Sequence, residues 1–176
     1  QQGADIIVNL SATNELIGKH SYLLSLVRQQ SARCVAGYVY ASAGFGESST
    51  DLVFAGNGLV VENGSILAES KRFSSTPQLV VSEIDVERLR TERRVMTSFA
   101  KGAWAHGRDA RFIPFVLNDI PLRLTRKVGA FPFVPSDSLV LNERCAEILD
   151  MQSSGLAKRL VHTQAQCVVL GISGGL

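Results

Sequence analysis

The chain has 176 residues, 45% of them hydrophobic and 19% charged, which is enough apolar material for a packed core and excludes a disordered segment. At this length one domain is the default, with room for a linker and a piece of a second. A net charge of only +2 gives no electrostatic case for a nucleic-acid partner or an anionic membrane surface.

In chain order, Ala4–Leu10 reads as a buried strand and Ser11–Gly18, rich in Ser, Thr, Asn and Gly, as the loop at its C-terminal end. A helix is predicted over Lys19–Ala32, with Leu23, Leu26 and Val27 on one face. Arg33–Ala41 is a second strand, followed by the glycine-rich loop Gly44–Thr50 and a short strand Asp51–Phe54. Leu59–Glu62 and Ser65–Ala68 flank Asn63-Gly64, a strong hairpin signal because both central residues need positive φ.

Glu83–Ala100 reads as a second helix with Val86, Leu89, Met96 and Phe99 as its apolar positions. Its basic residues Arg88, Arg90, Arg93 and Arg94 alternate with acids, the pattern of a solvated face laced with salt bridges. Ala103–Arg126 is irregular, with short extended pieces at Phe112–Leu117. The prolines of Phe131–Pro135 exclude regular structure there and predict a linker pinned by its aromatic residues. A helix follows from about Ser138, with Asp137 as N-cap and a break expected at Ser153-Ser154-Gly155. Cys145, Ile148, Leu149, Gln152 and Leu156 share one of its faces.

The last predicted strand, Cys167–Gly171, runs straight into Ser173-Gly174-Gly175-Leu176. A buried parallel strand feeding a small glycine turn is how proteins cradle phosphate: backbone N–H groups approach the anion and a following helix adds its positive end. The motif is incomplete at Leu176, which predicts a fragment that stops where a nucleotide-binding domain begins. A strand ending in an ordinary glycine turn is the other reading of the same residues.

The three cysteines contain no Cys-x-x-Cys pair and no even disulfide framework, which fits a reducing cytoplasm. His20, His106 and His162 lack metal-ligand spacing, and no metal site is expected. No apolar stretch approaches a membrane span.

Several stretches, in order, resemble one family: Asn9–Glu15, Ser31–Cys34, Tyr38–Ala41, Gly46–Leu52, and Glu62-Asn63-Gly64 through Glu69–Phe73. Together they are similar to the later half of the glutaminase domain of the glutamine-dependent NAD synthetases, within the nitrilase or carbon–nitrogen hydrolase superfamily. Glu83–Leu89 fits the helix after the hairpin. Pro132–Pro135 through Gln152 to Gly155–Leu160 resembles the connector, and Gly171–Leu176 resembles the opening of the ATP loop, whose family pattern is Ser-Gly-Gly, a variable residue, then Asp-Ser.

The resemblance implies an α/β (α+β) fold: the C-terminal half of a four-layer αββα nitrilase-like sandwich over residues 1–105, a helical connector over 106–165, and the first strand of a Rossmann-like ATP-pyrophosphatase domain over 166–176. It implies a parent enzyme that hydrolyses glutamine and channels ammonia to an ATP-dependent amidation of deamido-NAD. ATP and Mg2+ belong to the parent, and neither is expected on the fragment. Half a sandwich leaves apolar sheet faces open, so a homo-oligomer, or association with the missing part, is expected.

The superfamily's Glu, Lys and Cys triad lies upstream of Gln1 in this family, so no catalytic residue is expected in the chain. Cys34, in the strand Arg33–Ala41, reads as a core cysteine, as do Cys145 and Cys167. Thr13 and Lys19 match a hydroxyl and a cation, six positions apart, that bind glutamine in the family. Lys19 stands where some members carry Arg; it keeps the charge and loses the bidentate fork. The alternative for the pair is an N-cap and a solvated helix lysine. Gly171, Ser173, Gly174, Gly175 and Leu176 are the implied ATP-binding residues. Glu47 reads as a loop carboxylate that caps neighbouring N–H groups or organises a subunit contact, and Trp104 and His106 as packing or connector residues. Two other functions stay open: a nitrilase-type amidase acting on another amide, and a non-catalytic interaction module.

Overall fold

A computed structural model describes residues 3–106, 111–117, 123–131, 133–169 and 171. The fold is mixed α/β, and the chain divides into two compact units, Gln1–Arg126 and Lys127–Leu176.

The first unit is built on a four-stranded sheet in the order β1-β2-β3-β4. Strand β1 (Ile6–Ser11) runs parallel to β2 (Gly37–Ser42), with Ile6 opposite Gly37 and Ser11 opposite Ser42. Parallel strands cannot be joined by a tight turn, and helix α1 (Lys19–Cys34) makes the crossover. Strands β3 (Gly58–Glu62) and β4 (Ser65–Glu69) add an antiparallel hairpin. Its turn is the expected one, with φ 44° at Asn63 and 83° at Gly64.

Helix α1 covers one sheet face. Leu23 and Val27 bury against Tyr40, Leu59 and Val61, with Leu24 and Tyr38 packed at the edge. Each fully buried apolar side chain of this size contributes about 2 kcal/mol. Leu26, expected on the buried face, is exposed, and Leu24 takes the flanking position instead. The opposite sheet face is approached by Ile84, which lies so near Gly37 that a Cβ there would come within 2.8 Å of its Cδ1.

Helix α1 runs beyond its expected end and absorbs Arg33 and Cys34, so β2 starts at Gly37 and not at Arg33. The chain turns back through Val35, whose φ of 46° lets its N–H reach Ala32 O and Ser31 O. A β-branched residue costs about 1 kcal/mol in this conformation, and Val35 is held there fully buried. Ser31 secures the corner: its hydroxyl donates to Ala36 O (2.7 Å) and accepts from Gly64 N (3.2 Å).

Asp51–Phe54 is not a strand. Its backbone bonds go to loops and a side chain instead of a ladder: Val53 O accepts from Glu15 N (2.7 Å), Leu52 O from Ser49 N (2.8 Å), and Phe54 N donates to Ser48 Oγ (3.1 Å).

The expected helix Glu83–Ala100 is two helices, α2 (Val86–Val95) and α3 (Thr97–His106). Asp85 caps α2 by accepting from Arg88 N at 2.9 Å, which fixes its start. Met96 ends it with ψ 92°, outside the helical region. Ala103–His106, read as irregular, is therefore helical, and Trp104 and His106 lie on α3. Leu89 is buried, and Met96 is not.

In α2 the Arg88–Glu92 pair (3.0 Å) is the expected intrahelical salt bridge. Arg90 and Arg93 instead reach across to Asp5, and Arg93 also donates to Val35 O (2.9 Å) and Ala4 O (2.7 Å). The Arg90 hydrogen bond is the main cause that holds the Asp5 carboxyl below its ordinary value, with burial opposing and the charges of Arg90 and Arg93 adding to it.

The second unit is dominated by α4 (Ser138–Thr163). Asp137 caps it as expected, accepting from Leu139 N at 2.8 Å. Ser153-Ser154-Gly155 does not break it. An interior glycine costs about 1 kcal/mol relative to alanine, too little to offset the hydrogen bonds of 26 continuous helical residues. Among the described residues of α4 none is buried, so Cys145 is exposed, as is Cys167, and neither is a core cysteine. Phe131 and Phe133–Pro135 are irregular as expected, Pro132 lying outside the described residues, yet Phe131 and Phe133 are exposed and pin nothing. Of the strand expected over Cys167–Gly171, Cys167–Val169 and Gly171 lie outside regular structure, and Leu170 lies outside the described residues.

Candidate functional site

In open α/β sheets the loops leaving the C-terminal ends of parallel strands are where ligands are met. Here β1 and β2 end side by side, and their loops stay together: Ala43 N donates to Ser11 O (2.9 Å) and Glu15 N to Val53 O (2.7 Å). The Ala12–Gly18 loop then leads into α1 through Gly18, whose φ of 79° is the left-handed conformation glycine accommodates.

This path brings Thr13 and Lys19 together. Lys19 Nζ donates to Thr13 Oγ1 at 3.0 Å and to Asn14 O at 2.6 Å. Thr13 is not the helix cap; Gly18 occupies that position and makes no side-chain cap bond. Lys19 is half-buried, and its ammonium is turned back over the loop. The pair offers a hydroxyl and a cation in one place, the donors needed to hold a polar ligand that carries a carboxylate.

Three residues that sequence reasoning missed support the loop. Glu15 forms a salt bridge with Arg72 (Nη2–Oε1 3.1 Å) and accepts from Asn57 Nδ2 (Oε2, 3.2 Å). Asn57 is 4% exposed, and the Arg72 guanidinium stacks over the Phe73 ring at 4.8 Å. The only available signal was the position of a carboxylate between Thr13 and Lys19. Its partners lie far along the chain and have no spacing to betray them.

Glu47 caps. Its Oε2 accepts from Gly44 N at 3.0 Å, closing the single 3-10 turn Phe45–Glu47. That turn borders a cleft of about 540 Å3 on the sheet face opposite α1, lined also by Val39, Ala41, Gly58, Val60 and Ser70. Cys34 ends α1, half-buried; it is neither in a strand nor fully in the core. His20 pairs with Glu69 at 3.0 Å. Among the described residues no group of three or more His, Cys, Asp or Glu side chains could hold a metal ion.

A second polar cluster closes the first unit. The Glu62 carboxylate, buried at the end of β3, receives both Arg126 terminal nitrogens (2.7 and 2.9 Å) and the Asp85 N–H (2.7 Å). Burial alone would raise this carboxyl; the Arg126 and Asp85 hydrogen bonds outweigh it and hold it below its ordinary value. Glu83 binds the same segment, accepting from Thr125 N, Thr125 Oγ1 and Arg126 N at 2.7–2.8 Å.

Of the implied ATP-binding residues, Gly171 is exposed and outside regular structure. Ser173, Gly174, Gly175 and Leu176 lie outside the described residues. No described helix is long and apolar enough to cross a membrane.

No protein-family model matches the chain. Known proteins do. The chain is 43% identical, over 99% of its length, to the glutamine-dependent NAD(+) synthetase of Mycobacterium bovis, and 41% identical, over 99%, to that of Mycobacterium leprae. It spans only 26% of the length of each of these relatives. Among solved structures, a glutamine-dependent NAD(+) synthetase from Cytophaga hutchinsonii is 26% identical, with a TM-score of 0.42 over 45% of this chain and 13% of the other. The similarity expected from scattered motifs thus extends along nearly the whole sequence.

Proposed function

We propose that this chain is a working segment of a glutamine-dependent NAD(+) synthetase, the enzyme to which almost all of its length is similar. The observation that carries the reading is the 43% identity over 99% of the chain. In the whole protein, glutamine is hydrolysed at one site and its ammonia is used at another for ATP-dependent amidation of deamido-NAD to NAD. Ammonia is protonated in water at neutral pH, so a reaction that needs it as a nucleophile must keep the two sites joined and closed.

Within that scheme, residues 1–105 are the later part of the glutaminase domain, 106–165 the connector and 166–176 the start of the synthetase domain. Gly171, Ser173, Gly174, Gly175 and Leu176 open its pyrophosphate loop. Thr13 and Lys19 hold glutamine. The Lys19 ammonium pairs with the α-carboxylate, and the Thr13 hydroxyl accepts from or donates to its polar groups. Their 3.0 Å spacing supports the assignment, since one ligand can reach both. The acid–base and nucleophilic steps of hydrolysis fall to residues outside this chain. Mg2+ would accompany ATP in the parent; the described residues supply no cluster of ligands for it. A cytoplasmic setting and a homo-oligomer complete the reading, the latter supported by Ile6, Val8 and Leu10, which leave an apolar sheet face open.

The test is made in the full-length enzyme. Lys19→Ala raises KM for glutamine by about 30-fold, the equivalent of the ~2 kcal/mol typical of a hydrogen bond to a charged group. Synthesis driven by added ammonium needs no glutamine site and separates this effect from misfolding. An unchanged glutamine KM overturns the assignment of Lys19.

A further inference from the structure

We propose that Glu15 is a positioning residue for glutamine binding: together with Arg72 and Asn57 it pins the Ala12–Gly18 loop so that Thr13 and Lys19 remain paired. The inference rests on the glutamine-binding reading of those two residues and extends it to groups that touch no substrate.

The other side-chain bonds to the loop, from Lys19 Nζ to Thr13 Oγ1 and Asn14 O and from Ser21 Oγ to Gly18 O, come from the loop's own neighbours and do not tie it to the rest of the fold. The loop belongs to no sheet ladder, and its described main-chain bonds beyond the strand are Glu15 N to Val53 O (2.7 Å) and Lys19 N to Leu16 O (3.1 Å). Leu16 and Ile17, its apolar residues, both stand in solvent. The Glu15 side chain points the other way and is only 10% exposed. Its Oε2 accepts from the Asn57 amide, and its Oε1, buried without a hydrogen bond, is met by the charge of the Arg72 guanidinium 3.1 Å away.

The two partners come from different parts of the chain, and each is fixed. Asn57 is buried just before β3, and its carbonyl accepts from Ser42 N at 2.9 Å, the last residue of β2. Arg72 lies just past β4, stacked on the ring of Phe73. Phe73 itself has φ 57°, a left-handed conformation that an aromatic side chain rarely adopts. Its N–H donates to Ala55 O at 2.8 Å, so the surrounding chain imposes that geometry. The β2–β3 connection and the exit from β4 therefore converge on one carboxylate in the middle of the loop, flanked by Thr13 on one side and Lys19 on the other.

Replacing the carboxylate by an amide keeps its size, removes its charge and leaves Arg72 without an ionic partner. The loop then loses the ionic half of its tether and keeps at most the hydrogen bond from Asn57 Nδ2, so the hydroxyl and ammonium are held in one position less firmly. The expected result is weaker glutamine binding with the chemical step intact, because the reacting groups lie elsewhere.

In the full-length enzyme, Glu15→Gln and Arg72→Met each raise KM for glutamine by about tenfold and leave kcat within about twofold. The double variant is no worse than either single one, because both remove the same tether. The thermal midpoint and the ammonium-driven rate identify a variant that has failed to fold; the other single variant then decides. Lys19→Ala, measured alongside, separates the two levels. If it raises KM while neither Glu15→Gln nor Arg72→Met does, the positioning role is overturned and the binding site stands. If the two losses add independently in the double variant, the role is also overturned. If Lys19→Ala leaves KM unchanged, the binding site is wrong and the positioning role falls with it.

Discussion

Single residues carry much of this architecture, and Gly64 is the clearest case. It sits at φ 83° in the β3–β4 turn, and a Cβ added there would lie 3.2 Å from the Ala32 Cβ. Gly64→Ala is expected to lower stability by about 1–2 kcal/mol, seen as a lower urea midpoint with an unchanged slope. Glu62 is the electrostatic counterpart. A carboxylate buried opposite Gly37 at the sheet end is tolerated because Arg126 meets it with two hydrogen bonds. Arg126→Ala leaves that charge with only the Asp85 N–H and is expected to cost about 2 kcal/mol. Hydrogen exchange of β3 amides reports it, and unchanged protection there rules the role out. The Asn63-Gly64 turn was legible from two adjacent letters because its cause is local. The Glu62–Arg126 pair, 64 residues apart, was not.

Among the elements, those whose signals are local and periodic formed where expected: α1, the β3–β4 hairpin and the Asp137 cap of α4; β1 formed too, but as an edge strand with Ile6, Val8 and Leu10 exposed and not as the buried strand expected, because burial depends on what packs over it. Boundaries moved where a competing interaction decided. Helix α1 gained Arg33 and Cys34 because the reversal is made by Val35, held in place by tertiary burial. The helix over Glu83–Ala100 divided at Met96, a residue with good helix propensity, and periodicity had no means of marking it. In α4 the reverse occurred: a weak spot was marked and the helix ran through it. Gly155 remains its least favourable position, with open space around it. Gly155→Ala is expected to stabilise the helix by about 1 kcal/mol, visible as higher helicity by circular dichroism in a peptide spanning Ser138–Thr163. A drop in helicity contradicts this account.

At the scale of the whole molecule, ion pairs between distant segments set the response to acid. Asp5 and Glu62 both titrate below their ordinary values, 3.8 and 4.5, in the folded protein. Their contribution is complete above those values and drains away as pH falls below them toward the lower folded ones, because the unfolded chain then binds more protons. The thermal midpoint is therefore expected to fall as pH drops below about 4.5, and Glu62→Gln is expected to flatten that fall. An unaltered pH profile in Glu62→Gln removes Glu62 from the explanation. The sequence by itself determined the α/β character of the chain, its main strands and helices, and its relation to the glutamine-dependent NAD(+) synthetases, because hydrophobic period, turn chemistry and colinear motifs are all written in local order. It also singled out Thr13 and Lys19, through that relation. Only the tertiary structure decided that these two lie 3.0 Å apart, that Glu15 is tied to Asn57 and Arg72, and that Asp5 and Glu62 face arginines from far along the chain. The reason is physical: a salt bridge or hydrogen bond depends on where folding brings two side chains, and sequence separation places no limit on that.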